Sequence, residues 1–143
     1  MKTAVIFPGQ GSQSIGMGYD FYKNYESSKN VYDQLNFILD KDAKSMIFSG
    51  NESELSETQN SQPAIMATSI AIFRAMLDEK LLSDSSFQAV AGHSLGEYSA
   101  LVANGSLEFE ESVRLIKIRS KAMQESMPLG TGGMVALIGC TNE

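Results

Sequence analysis

FQAVAGHSLGEYSALVANG, residues Phe87 to Gly105, decides how the chain is read. Phe87 to Gly92 is a short apolar run and predicts a strand, while Leu95 to Ala103 has helical character and is closed by Gly105. Between them, Gly92-His93-Ser94-Leu95-Gly96 matches G-x-S-x-G. A sharp strand-to-helix turn of this kind exposes the serine hydroxyl at the C-terminal edge of a sheet. It also aims the first backbone N–H groups of the helix at the reacting centre. The pattern by itself is common, and a plain Gly-Ser turn would satisfy it. Its place between a strand and a helix is what marks Ser94 as a nucleophile. Serine reacts only when a base takes its proton, and His93 is the one histidine in the chain. Adjacent side chains at such a turn point in different directions, so His93 is expected to support the turn by packing and hydrogen bonding. The base is expected to arrive from a distant segment.

Working outward, Thr3 to Phe7 (TAVIF) reads as a strand buried on both faces, ended by Pro8-Gly9 and followed by a glycine-rich loop, GQGSQSIGMG. Helical patterns fill Tyr19 to Tyr25, Lys29 to Leu39 and Ala43 to Phe48. Ser49 to Asn60 is polar and reads as a surface connection with at most a short turn around Glu54. Ser61 is the expected N-cap of a central helix that runs to about Leu81, with Pro63 in its first turn. Its Ile65, Met66, Ile70, Phe73, Met76 and Leu77 recur at helical spacing. A long helix is expected over Glu108 to Met127, with Glu110 and Arg114 paired on its exposed side. Pro128 to Gly133 breaks the pattern, and MVALIGC, Met134 to Cys140, predicts a third strand. Strands alternating with helices give an α/β fold, a mostly parallel sheet covered by helices on both sides.

Composition narrows the function. Hydrophobic residues make up 43% and charged residues 20% of 143, ordinary values for a soluble domain. Eleven basic against 17 acidic residues leave a net charge of −6 with no basic cluster, so a nucleic-acid partner is not expected. Cys140 is the single cysteine and has no internal disulfide partner, which points to a reducing, cytoplasmic setting. The N-terminal apolar run is too short for a secretory signal or a membrane span. No cluster has the spacing of a metal site.

FPGQGSQ (Phe7 to Gln13), SQPAIMATS (Ser61 to Ser69), GHSLGEYSAL (Gly92 to Leu101), RLIKIRSKAMQE (Arg114 to Glu125) and GTGGMVALIG (Gly130 to Gly139) follow one another in this order. Together they resemble the malonyl-CoA:acyl carrier protein transacylases, members of the acyltransferase family of fatty acid and polyketide synthesis. The resemblance implies an α/β-hydrolase-like large subdomain, of which residues 1–127 would form the N-terminal part. Residues 128–143 would be a linker and the first strand of a ferredoxin-like small subdomain. It implies a two-step transfer in which Ser94 takes malonyl from malonyl-CoA and hands it to the phosphopantetheine thiol of acyl carrier protein. No cofactor, nucleic acid or membrane is implied.

By the same resemblance, the backbone N–H groups of Gln10 and Leu95 form the oxyanion hole, and Arg119 holds the malonyl carboxylate. Gln62 lies near the reacting centre. Gly9, Gly11, Gly92, His93 and Gly96 support the turns around it. For the first loop, a phosphate cradle is the competing reading, and the absence of a Walker lysine counts against it. For Arg119, spacing alone fits an arginine reaching from the border of the apolar face into solvent, since Ile116 and Met123 share its edge. Family members run to roughly twice this length and carry their catalytic histidine in the second half. The chain is therefore expected to be an N-terminal portion, inactive by itself. A serine esterase or thioesterase using water as acceptor, and a remnant that binds without turnover, are the competing functions. FPGQGSQ and Arg119 count against the esterase.

Overall fold

The computed structural model describes residues 2–83, 86–128, 130–132 and 137–139. In chain order the elements are β1 (Ala4–Phe7), α1 (Tyr19–Asn24), α2 (Glu26–Leu39), α3 (Ala43–Ser49), α4 (Glu52–Ser56), α5 (Thr58–Asp78), β2 (Ala89–Gly92), α6 (Gly96–Ala103) and α7 (Phe109–Ser126). Helix α5 is the axis of the molecule. Its Ala64, Ile65, Met66, Ala67, Ile70 and Ala71 are buried together with Val31, Tyr32 and Leu35 of α2 and Val113 and Ile116 of α7. This apolar burial is the main stabilising term, and truncating a side chain such as Met66 there costs about 2–5 kcal/mol. Two of the polar side chains inside it are tied down by hydrogen bonds, while the buried hydroxyls of Ser61, Ser99 and Ser112 have no partner among the described residues. Ser28 Oγ donates to the Ala71 carbonyl at 2.6 Å, and the Tyr32 hydroxyl bonds Thr68 Oγ1 at 3.0 Å. Burial pushes the Tyr32 phenol up to about 12, Thr68 pulling weakly the other way.

The sheet is small and parallel. Strand β1 pairs with β2 in the register Ala4↔Ala89 to Phe7↔Gly92. Val5, Phe7 and Val90 share one face with Phe73, Leu77 and Phe87, and Phe7 meets Phe73 edge to face at 5.9 Å. The opposite face is open: Ile6 is 74% exposed. The expectation of helices on both faces is therefore not met among the described residues, because α5 and α6 both lie on the Phe7 side. The expected strand Met134–Cys140 falls mainly outside the described residues; Leu137 and Ile138, which are described, are exposed and belong to no strand.

Several boundaries differ from the sequence reading. Ser61 is not an N-cap: α5 begins at Thr58, Glu57 holds the cap position at φ −59 and ψ 134, and Pro63 lies inside the helix. The polar first turn is held by tertiary bonds that a local pattern does not announce. Asn60 Nδ2 donates to the Glu54 carbonyl at 2.9 Å, and Lys41 Nζ donates to Asn60 Oδ1 at 2.6 Å. The presumed connection before it contains α4, capped by Asn51, whose side chain accepts from Glu54 N–H, and anchored by buried Leu55. Helix α2 likewise starts at Glu26, ahead of the expected Lys29. The expected Glu110–Arg114 pair forms at 2.7 Å on α7. Among the described residues no helix is long and apolar enough to cross a membrane.

Candidate active site

Parallel pairing places the loops that follow β1 and β2 side by side, and one further bond, His93 N–H to the Phe7 carbonyl at 3.0 Å, continues the pairing past the strand end. The chain then reverses sharply into α6. Ser94 adopts φ +55, a left-handed conformation that costs a non-glycine residue about 1–2 kcal/mol. The turn is closed by Gly96 N–H to the His93 carbonyl at 2.9 Å and Glu97 N–H to the Ser94 carbonyl at 3.2 Å. Glycine is needed on both sides. A Cβ on Gly92 would lie 1.9 Å from the Gly96 carbonyl carbon, and one on Gly96 would lie 2.5 Å from the Phe7 carbonyl oxygen. Leu95 is fully buried, which anchors the turn from below and leaves Ser94 exposed.

His93 takes part in the turn through its backbone. Its backbone makes two of the bonds just described, and a Cβ on Gly9 would meet its Nδ1 at 2.4 Å, so its ring lies against the first loop. The Ser94 hydroxyl is bonded to a different residue: Arg119 Nη2 donates to Ser94 Oγ at 3.0 Å. Arg119 Nη1 donates at the same time to Gln62 Oε1 at 2.5 Å. Gln62 is completely buried, and its Nε2 turns to Gln10 Oε1 and Met123 Sδ, both at 3.4 Å. Gln10 Nε2 in turn donates to Thr58 Oγ1 at 3.2 Å. The side chains of Gln62, Ser94 and Arg119, all singled out in the sequence, thus form one connected chain with that of Gln10, a residue singled out there only for its backbone N–H. Thr58 was missed; a lone threonine in a polar stretch carries no signal.

The electrostatics suit an anion. Among the described residues no carboxylate pairs with Arg119, so its charge is offset only by neutral acceptors. The backbone N–H groups of Gln10 and Leu95 likewise have no acceptor among the described residues. Both lie in the two neighbouring loops, one of them at the positive end of α6. Gly11, in the first loop, takes φ +105, which a larger residue adopts only under strain. No group of three or more His, Cys, Asp and Glu suited to a metal occurs among the described residues. The arrangement can bind an anionic group beside an exposed hydroxyl and can stabilise negative charge developing on an adjacent oxygen. No proton acceptor contacts Ser94 Oγ among the described residues.

Comparison with known proteins returns the acyl transferase domain, whose family model matches residues 4–143. The malonyl CoA-acyl carrier protein transacylase of Bacillus subtilis is 42% identical over 142 residues, covering 99% of this chain and 44% of the relative. That of Haemophilus influenzae is 41% identical over 142 residues, covering 99% and 45%. The chain thus spans less than half the length of these curated relatives. Among solved structures, the acyl-carrier-protein-S-malonyltransferase of Bartonella henselae superposes with a TM-score of 0.83 at 42% identity, covering 87% of this chain and 40% of the other. A malonyl-transacylase solved in complex with its type II polyketide acyl-carrier protein gives 0.83 at 38% identity, covering 90% and 40%.

Proposed function

The chain belongs to the acyl transferase domain family, and from that premise we propose that the protein it forms moves malonyl from malonyl-CoA to acyl carrier protein through an ester on Ser94. The observation that carries this reading is the guanidinium of Arg119, 3.0 Å from Ser94 Oγ and without a carboxylate partner among the described residues. An acyl group ending in a free carboxylate completes that charge. A fork of two N–H groups meeting a carboxylate also fixes the orientation of the acyl chain over the hydroxyl.

Ser94 Oγ attacks the thioester carbonyl carbon as its proton passes to a base. The oxygen of the tetrahedral intermediate takes the negative charge and is stabilised by the Gln10 and Leu95 N–H groups. The C–S bond then breaks, coenzyme A leaves as the thiol, and malonyl stays as an ester on Ser94. The phosphopantetheine thiol of the carrier protein repeats the attack in reverse and frees the serine. The family resemblance puts the base, a histidine, in the second half of its full-length members. No cofactor enters these steps, since the acyl group is only ever an ester or a thioester. The left-handed Ser94 between β2 and α6 supports the reading of this turn as a nucleophile elbow. Residues 1–127 would then be part of a large hydrolase-like subdomain, and those from 128 on would lead into a small ferredoxin-like one, in a cytoplasmic enzyme.

The test uses the full-length protein. Intact-mass measurement after mixing with malonyl-CoA should show one malonyl adduct in the wild type and none in Ser94→Ala. An adduct that survives the substitution would remove Ser94 as the nucleophile.

A further inference from the structure

The hydrogen-bond chain behind Ser94 has a fixed polarity. A guanidinium only donates, so Gln62 must offer Arg119 its Oε1, and its Nε2 must face Gln10 and Met123. Gln10 must then meet Gln62 with its own Oε1, which leaves its Nε2 for Thr58 Oγ1 at 3.2 Å. Turning over either amide would set donor against donor. Gln62 is fully buried, where such a mismatch has no water to relieve it. Thr58 closes the sequence. It is the first residue of α5, on the stable helical axis, whereas Gln10 sits in the loop after β1. That loop also carries the Gln10 N–H, which has no acceptor among the described residues.

We infer that Thr58 is a positioning residue: by holding the Gln10 side chain, its hydroxyl keeps the Gln10 backbone N–H and the Arg119 guanidinium in register on the two sides of Ser94. The inference rests on the proposed transfer reaction. It adds that the carboxylate clamp and the oxyanion donor are mechanically joined. A carboxylate that draws Arg119 away from Ser94 Oγ acts on the same chain of amides that orients Gln10. Recognition of the acyl group's far end is thereby expressed in kcat, not only in KM.

Thr58→Val keeps the shape and removes the acceptor, and Thr58→Ser restores it. In the full-length protein, Thr58→Val should lower malonyl kcat roughly three- to tenfold, the weight of one neutral hydrogen bond. KM should be little changed, and Thr58→Ser should recover the rate. Side-chain NMR resonances of the Gln62 amide and the Arg119 Nε–H should move in Thr58→Val and return in Thr58→Ser, although Thr58 bonds neither residue. Unmoved resonances would overturn the relay whatever the activity. Moved resonances with an unchanged kcat would overturn its catalytic role. A wild-type enzyme that forms no malonyl ester would refute the proposed reaction instead, and the resonances would still decide the relay.

Discussion

Arg119→Ala should separate malonyl from acetyl transfer. In the structure the guanidinium has two neutral acceptors, Gln62 Oε1 at 2.5 Å and Ser94 Oγ at 3.0 Å, and no acid among the described residues. Losing a charge-assisted pair with a substrate carboxylate costs on the order of 2–5 kcal/mol when the pair is desolvated. Arg119 is half-buried, so the lower part of that range applies. About 2–3 kcal/mol corresponds to a fall of roughly 30- to 150-fold in kcat/KM for malonyl-CoA. Acetyl-CoA offers no carboxylate and should be spared. The substitution has a second effect, since it strips the donor from Gln62 Oε1 in a completely buried side chain. An orphaned acceptor of that kind lowers stability by about 1–3 kcal/mol. Instability acts on both substrates alike, so the ratio of the two specificity constants isolates the clamp. Steady-state transfer to acyl carrier protein, measured with each acyl-CoA on protein verified as folded, gives that ratio. Equal losses for malonyl and acetyl would refute the clamp and leave Arg119 a support for Gln62 and Ser94.

Ser94→Ala should eliminate the malonyl adduct seen by intact mass, and Thr58→Val should slow malonyl transfer while shifting Gln62 and Arg119 resonances. Gly92→Ala should destabilise the protein by about 3 kcal/mol or more, because its Cβ would lie 1.9 Å from the Gly96 carbonyl carbon, backbone that cannot swing aside. Urea denaturation measures this, and a wild-type midpoint would mean that the turn is not built this tightly. Tyr32 gives a pH dependence. Its phenol is pushed up to about 12 by burial, so the folded state holds the proton more tightly than the unfolded chain, where the value is near 10. That contribution is complete below pH 10 and fades as pH rises towards 12, a loss of about 2–3 kcal/mol. Denaturation between pH 9 and 12 should show a shallower decline in Tyr32→Phe; identical slopes would exclude Tyr32 as the titrating group.

The apolar runs made much of this architecture legible. Strands around Val5 and Val90, and helices led by Leu35, Ile70 and Ile116, announce themselves by periodicity because their faces are set by burial. What escaped was polar and buried. Asn60, Ser61 and Gln62 are inside the molecule, yet in sequence Asn60 reads as the end of a surface connection and Ser61 as a helix cap. Asn60 and Gln62 are held by Lys41, Glu54, Gln10 and Arg119, residues far away along the chain or on other elements, so no local window contains their reason. Pro63 compounded the error, since proline suits a first turn and here lies within the helix. At the site, Ser94 was legible from its turn. Arg119 and Gln62 were legible through family resemblance, because spacing alone left Arg119 free to point at solvent. Thr58 had neither signal.

The parallel register has a consequence in time. Thr3 and Gln88, which bond each other across the start of the sheet, are 85 residues apart in sequence. Closing a loop of that length costs roughly 4 kcal/mol in chain entropy before any pairing contact repays it. Contacts among α1, α2 and α3 span far fewer residues and have the kinetic advantage, so sheet pairing belongs to the late part of folding. During synthesis the order is stricter still. At ribosomal speeds of 5–20 residues per second, the loop bearing Gln10 emerges roughly 4–17 s before the turn bearing Ser94. For that interval β1 waits for β2, the strand it pairs with here, and its Ile6 and Phe7 are open to whatever holds unfolded chains at the exit of the ribosome.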